Sequence, residues 1–382
     1  MRLLTSIFLL ALSLNLWSQS TIDSSKIKDE ITFLFLGDIM GHGPQITSAL
    51  NKESGEYDYS SCFKYITEEL SDADYTLGNL EVTLAGPPFK GYPQFSSPDN
   101  LALSCKNAGV DILVTSNNHS CDRGGDGIIR TVNTLDTLDI MHTGTFLDSV
   151  DRREDHPLII DDGCFRIAIL NYTYGTNGLP YPEPTIVNML DKDLIKKDME
   201  IAKSKKVDKI IVVTHWGSEY KLQPTQEQVD WGEYIFEQGA DMIIGGHPHV
   251  IEKMVWTKGN EDLSENEKLI VYSLGNFVSN QRKRYTDGGT LFKVTLKREG
   301  DKIFIKNAGY LLTWVYTPIE DGVKKYYILP ASKYEENEDF FDTKESYDKM
   351  MLFLNDSREL YGNENLNVPE IKYQNKKWVL TE

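Results

Sequence analysis

Positive charge is in short supply in this sequence. Its 382 residues carry 40 Lys and Arg against 58 Asp and Glu, a formal net charge of −18 at pH 7. A nucleic-acid binder needs a basic footprint, so that class is excluded. The same balance argues against docking on an anionic membrane surface. It also disfavours a polyanionic substrate, unless metal ions or a local basic patch reverse the field. Cysteine is scarce too, with only Cys62, Cys105, Cys121 and Cys164. Their spacing fits no zinc knuckle, although an even count in an exported chain permits disulfides. The expectation is buried thiols or one bridge, with Cys121, two residues after His119, as a conceivable thiolate ligand. There is no internal repeat. The one membrane-like apolar run, Leu3 to Trp17, follows Arg2 and precedes Ser18-Gln19-Ser20. It is shorter than the ~20 residues of a membrane span. Residues 1–22 therefore read as a secretory signal cleaved before Gln19, placing the protein in the periplasm or at the cell surface. An uncleaved N-terminal anchor is the alternative.

Histidine is also rare, with seven in all, and its placement is informative. Met242 to Ile244 reads as a buried strand of a parallel sheet. Gly245 and Gly246 then let the backbone turn sharply and approach a ligand. His247 and His249 follow, one residue apart. Two imidazoles so spaced suit zinc, manganese or iron. Four other strand-like runs end in residues of the same kind. Ile31 to Leu36 ends in Gly37-Asp38, Asp74 to Leu77 in Gly78-Asn79-Leu80-Glu81, Val110 to Thr115 in Ser116-Asn117-Asn118-His119, and Lys209 to Thr214 in His215-Trp216-Gly217. In open α/β sheets ligands sit outside the carboxyl ends of the strands. Four of the seven histidines lie at such ends, which argues for a metal centre.

Gly37-Asp38, Asn117-Asn118-His119, His215 to Tyr220, Gly245 to Val250 and Tyr272-Ser273-Leu274-Gly275-Asn276-Phe277 match in order the motifs of the CapA-type capsule and poly-γ-glutamate synthesis proteins. The chain resembles that family, part of the calcineurin-like metallophosphoesterase superfamily, over about Ile31 to Pro330. The resemblance implies a four-layer α/β/β/α sandwich with mixed sheets and a site for two divalent ions at the strand ends. It implies Asp38, Asn118, His215, His247 and His249 as metal ligands and His119 as the acid for a leaving oxygen, and Asp122, three residues on, is placed to orient it. The superfamily's usual bridging aspartate is replaced by Asn79. An amide bridges cations poorly, so Glu81, two residues on and facing the same way, is the expected bridge. Asn79 is left to orient a ligand, a water or the substrate. The usual Asp-x-His is also missing at Asp38-Ile39-Met40. His42 either replaces that histidine or is a loop residue that only hydrogen-bonds.

Other features complete the reading. Asp58 to Ser71 is expected as a helix with Phe63, Ile66 and Leu70 on one face. Asp99 to Ala108 is expected as another, with Asp99 near its start. Further helices are expected from Gly124 to Leu138, from Asp191 to Lys206 and from Val229 to Gln238. The 87–98 loop, with Phe89, Tyr92 and Phe95, forms either an aromatic wall over the site or a surface loop packing its own side chains. Tyr174, in the run from Asn171 to Asn177, reads as a substrate contact or as part of a polar turn. Asn276 is placed with the substrate. Arg282 and Arg284 lie in the most basic short cluster, which either grips an anion or is a solvated face. Thr290 to Leu296 and Ile303 to Ala308 read as a hairpin of a mixed sheet. The expected organisation is a signal over 1–22, one domain over 23–332, and an acidic, partly helical extension over 333–382. The functions open to such a chain are a metal-dependent phosphoester hydrolase, a non-catalytic export factor for an anionic polymer, and a γ-glutamyl amide hydrolase. Its partners would be the polymer or phosphoester and the membrane proteins of capsule synthesis.

Overall fold

Strand β1 (Glu30–Ile39) shows how the layers arise. Its side chains alternate, as a pleat requires. Ile31, Phe33 and Phe35 enter one buried cluster, while Leu34 and Leu36 enter another on the opposite face. A strand buried on both faces belongs to the middle of a covered sheet. The structure, a computed structural model, describes residues 28–259 and 267–381. The secretory reading of residues 1–22 lies outside them. Among the described residues no helix is long and apolar enough to cross a membrane.

β1 sits in an eight-stranded mixed sheet. It pairs in parallel with β2 (Tyr75–Leu80), which leads through β3 (Ile112–Val114) to β4 (Met141–Thr143). The second sheet contains β5 (Leu158–Asp161), β6 (Arg166–Thr173), β7 (Lys209–His215), β8 (Met242–Gly246), β9 (Ile251–Thr257) and β10 (Lys268–Leu274). Its order is β9-β10-β8-β7-β6-β5, with β10, β8, β7 and β6 parallel and an antiparallel strand at each edge. The chain then returns to the first sheet. β11 (Asn276–Val278) pairs in parallel with β1, and β12 (Gly288–Glu299), β13 (Lys302–Tyr316) and β14 (Tyr327–Pro330) extend it antiparallel. The expected hairpin is present and longer than its apolar runs.

Inward residues of the second sheet, among them Ile167, Ile169, Ile211, Val213, Met242 and Ile244, meet those of β1 in one core between the sheets. Helix α1 (Asn100–Asn107) covers the outer face of the first sheet through Leu101, Ala102 and Cys105. α2 (Gly124–Thr137) adds Leu135 to that cluster and packs Ile128 and Val132 with Cys121 and Val187. α3 (Lys192–Ser204) and α4 (Gln226–Glu237) cover the second sheet with Ile195, Met199 and Ile235. The result is the four-layer α/β/β/α sandwich with mixed sheets.

Several local expectations change. The Asp58–Ser71 segment is a 3-10 turn at Ser60–Phe63 followed by a single α turn at Thr67–Leu70. Ile66 between them, at φ −122°, interrupts the helix, yet Phe63, Ile66 and Leu70 are all buried. α4 begins three residues before Val229, because Thr225 and Gln228 form a capping box. Asp99 does not cap α1 with its side chain and instead pairs with Arg130. All four cysteines are free thiols, and Cys121 packs against apolar neighbours. The 333–382 segment contributes α5 (Lys344–Glu364), whose Met350, Phe353, Leu354 and Tyr361 join the core between the sheets.

Candidate metal centre

The carboxyl ends of β1, β2, β3, β7 and β8 converge where the two sheets meet. The approach is close: a Cβ on Gly37 would lie 1.9 Å from the Gly275 carbonyl oxygen. Only glycine lets Asp38 N donate to that carbonyl at 3.0 Å. Beyond β8, His247 and His249 hold φ values of 100° and 57°. Such backbone is costly for bulky residues and collects at functional sites. Here it turns both imidazoles back over the strand ends.

Two groups of three side chains result. Glu81, His215 and His247 form one, and Asp38, Glu81 and His249 the other, with the ligand atoms of each group within 4.8 Å of one another. Glu81 is common to both. It is fully buried and neither carboxylate oxygen has a hydrogen-bond partner. Leaving such a group unsatisfied is expensive, and a divalent cation would satisfy it. His247 Nδ1 is likewise buried without a partner. The donor set, two carboxylates and three imidazoles, suits zinc, manganese or iron.

The electrostatics point the same way. Burial pushes the Glu81 carboxyl well up, and the Asp38 charge adds to it. Burial would raise Asp38 too, but the hydrogen bond and charge of His249 outweigh it and hold that carboxyl well below the usual range. Burial takes His215 down to about 3 against the pull of Asp38. Burial and the neighbouring imidazoles take His247 well below its ordinary value. Both are therefore neutral, the form that binds metal. Burial also opposes charge on His249, yet Glu81 and Asp38 carry it up to about 9. His249 would release that proton on binding a metal ion.

The remaining residues singled out above fall into three sets. Asn118 joins the centre, with Oδ1 2.9 Å from His215 Nε2. His119 stands beside it, its Nδ1 2.8 Å from Asp122 Oδ2, which also accepts from Phe95 N at 2.7 Å. Tyr174, 43% exposed, stays at the mouth with its ring 4.6 Å from that of His247. Asn276, placed above with the substrate, stands behind the ligands instead, and Asn79 takes the ligand-orienting alternative. Asn79 Nδ2 donates to Asp38 at 2.8 Å and lies 3.3 Å from His215 Nδ1, and its Oδ1 accepts from Asn117. Asn276 Oδ1 is 3.1 Å from His249 Nδ1, while its amide donates to Thr286 O and Gln281 Oε1. Short amides beside buried ligands are more useful fixing those ligands than reaching outward. Arg282 and Arg284 are not brought to the centre. Arg282 donates to Val315 O and lies over the Trp314 ring, and Arg284 pairs with Asp356. Each guanidinium is committed to an internal partner. His42 belongs to neither group. Its Nδ1 lies 3.2 Å from Gln45 Oε1 and its ring is edge-on to Phe95, the hydrogen-bonding alternative.

Asn117, Glu219 and Tyr220 have no role assigned from the sequence, and Asn177 lies in the run read for substrate contacts. Asn117 ties β3 to β2 by donating to Asn79 Oδ1 and Leu80 O, and its adjacency to Asn118 hid it. Asn177 accepts from Asn118 Nδ2. Glu219 and Tyr220 sit within the quoted motif, and their signal was proximity to His215. The Tyr220 ring lies 6.2 Å from that of His249. Conversely Asn171, within a run read for substrate contacts, is structural. It accepts from Ser116 N and donates to Val213 O, tying the sheets together.

The family model for "Bacterial capsule synthesis protein PGA_cap" matches residues 32–281, well over half of the chain. The chain belongs to this family. The PGA_cap match spans all five strand ends and stops before the last three strands of the first sheet. Among curated relatives, the "Capsule biosynthesis protein CapA" of Bacillus anthracis is 27% identical over 303 residues, 75% of this chain and 70% of that one. The "PGA biosynthesis protein CapA" of Bacillus subtilis is 28% identical over 282 residues, 71% and 69% of the two chains. Among solved structures, the chain is similar to the Haemophilus influenzae NAD nucleotidase NadN (14% identity, TM-score 0.48, 86% of this chain and 67% of that one). It is also similar to the calcineurin-like phosphoesterase YfkN of Bacillus subtilis (12%, TM-score 0.42, 86% and 98%).

Proposed function

We propose that this PGA_cap protein is an exported, metal-dependent hydrolase that cleaves a phosphoester during synthesis of an anionic capsule polymer, poly-γ-glutamate or a relative of it. The observation that carries the reading is Glu81, a buried carboxylate with no hydrogen-bond partner, shared by two ligand groups. Asp38, Glu81, His215, His247 and His249 would hold the ions, with the Asn118 carbonyl beside them. Two bound cations supply charge for the substrate oxygens and activate water.

The chain's own residues do the rest. Asn79 and Asn117 fix Asp38 and His215, and Asn276 fixes His249. Asp122 accepts from His119 Nδ1–H, which leaves Nε2 to carry the mobile proton. Hydrolysis breaks the phosphorus bond to the leaving oxygen and forms one from water. His119 Nε2 protonates the leaving oxygen, and the water consumed restores that proton.

The test is elemental analysis of protein purified without chelator, followed by assay on an aryl phosphate. Metal at two per chain with turnover supports the reading, and metal-free protein overturns it. The name of the Bacillus subtilis relative favours assaying γ-glutamyl polymer beside the phosphate. Cleavage there alone would make the centre an amide hydrolase. Metal with neither activity would leave a polymer-binding export factor.

A further inference from the structure

Beside the metal centre lies an open cavity of about 390 Å³, within the usual size of a ligand cleft. His119, the proton donor proposed above, lines it, so its occupant is the group that leaves. The apolar part of its wall is Tyr92, Pro93 and Leu179, and the polar part includes Gln94, Asn177 and Glu219. Tyr92 is 74% exposed, and its ring packs at 6.5 Å on Phe95, which in turn packs at 4.7 Å on His119. Among the described residues no lysine or arginine lines the cavity. Arg282 and Arg284 are committed elsewhere, and Lys283 stands outside, over the Tyr220 ring at 5.1 Å. A carboxylate-bearing group seated here would meet the Glu219 carboxylate with no lysine or arginine in the wall beside it, and Asp122 is already taken by His119.

We propose that this cavity is the leaving-group subsite and that it takes an uncharged, hydroxyl-rich alcohol, a sugar or polyol, rather than a γ-glutamyl unit. The aromatic face of Tyr92 suits the C–H face of such a ring. Gln94, Asn177 and Glu219 can exchange hydrogen bonds with its hydroxyls. The proposal rests on the phosphoesterase reading, which orients the substrate, and refines its substrate class.

Two measurements on the full, metal-loaded chain separate the two ideas. In the first, binding of a methyl hexoside and of glutarate is compared by NMR. The hexoside should shift the Tyr92 ring signals, and glutarate, which can also bind the ions, should not. Tyr92→Ala should weaken hexoside binding about tenfold, the upper range for one aromatic contact. Glu219→Lys, a change at an exposed position, should bring in glutarate. In the second, kcat/KM is compared for a hexose 1-phosphate and for phosphoglycolate, and the hexose ester should be the better substrate. Glutarate binding as well as the hexoside, binding of neither, or indifference to Tyr92→Ala overturns the subsite. Hexoside binding without turnover of any phosphoester leaves the subsite standing and overturns the hydrolase.

Discussion

His119 and His247 are both imidazoles at strand ends, yet their surroundings divide their work. His247→Ala removes a nitrogen from a group of three, and bound metal should fall with activity. His119→Ala removes a proton donor held by Asp122. Metal should stay while turnover drops by roughly 10²–10⁴-fold, the usual worth of general acid catalysis. That loss should shrink on a nitrophenyl ester, whose leaving oxygen needs little protonation. Loss of metal from His119→Ala would make it a ligand. A second prediction concerns Glu252, buried beneath α4. Burial pushes its carboxyl up to about 8, against the Gln228 hydrogen bond at 2.7 Å. The folded protein therefore holds this proton more tightly than the unfolded chain does. Stability should fall as pH rises from about 4.5 towards 8. Glu252→Gln should remove that part of the slope, a gain on the order of 4 kcal/mol at pH 8 and almost nothing at pH 4. Urea melts of both proteins at the two pH values decide it, and parallel curves would refute it.

At the scale of elements, α5 matters most. It lies along β9 and β13, at the same end of the two sheets. After it, Leu366 exchanges backbone hydrogen bonds with Met254 and Trp256 of β9, and Tyr310 N of β13 donates to Pro369 O. The segment joins the two sheets, which explains why its apolar face belongs to the common core. Phe353 sits against Gly288, where an added Cβ would meet its ring at 2.7 Å. Phe353→Ala should cost about 3–5 kcal/mol, as for other buried aromatics, with metal content unchanged in the folded fraction. Arg282 behaves as part of the same architecture. Arg282→Ala gives up the Trp314 and Val315 contacts. It should lower the melting temperature and leave substrate KM alone. A raised KM with unchanged stability would return Arg282 to the substrate.

For the whole molecule, the apolar core between two covered sheets holds the fold, and bound metal would only add to it. Removing the ions should leave the circular dichroism of a folded protein and lower its melting temperature by several degrees. Saturating metal at a hundred times its dissociation constant contributes only about 2.7 kcal/mol. Collapse of secondary structure on chelation would contradict this. Export belongs to this scale as well. Protein recovered from cells should begin near Gln19 and fractionate with the periplasm or cell surface. Intact Met1 in the cytoplasm would argue otherwise.

Apolar runs and the residues that follow them were enough to indicate strands with a metal centre at their carboxyl ends and the residue types within it, while the layered sandwich came from the family resemblance. These are local properties: alternation along a strand and the chemistry of the residue that follows it do not need the rest of the chain. Contacts between distant segments were not legible. Nothing local to Glu81 says that both its oxygens lack partners, and nothing local to Arg282 says that Trp314 lies beneath it. Asn276 could be assigned to substrate, and Asn79 left between ligand and substrate, only because the imidazoles they support are 27 and 136 residues away. The place of 333–382 was open for the same reason, since its apolar residues are recognisable but the sheets they join are not. Packing is a non-local sum, so the tertiary structure alone decided which polar groups face the ligand and which hold the groups that do.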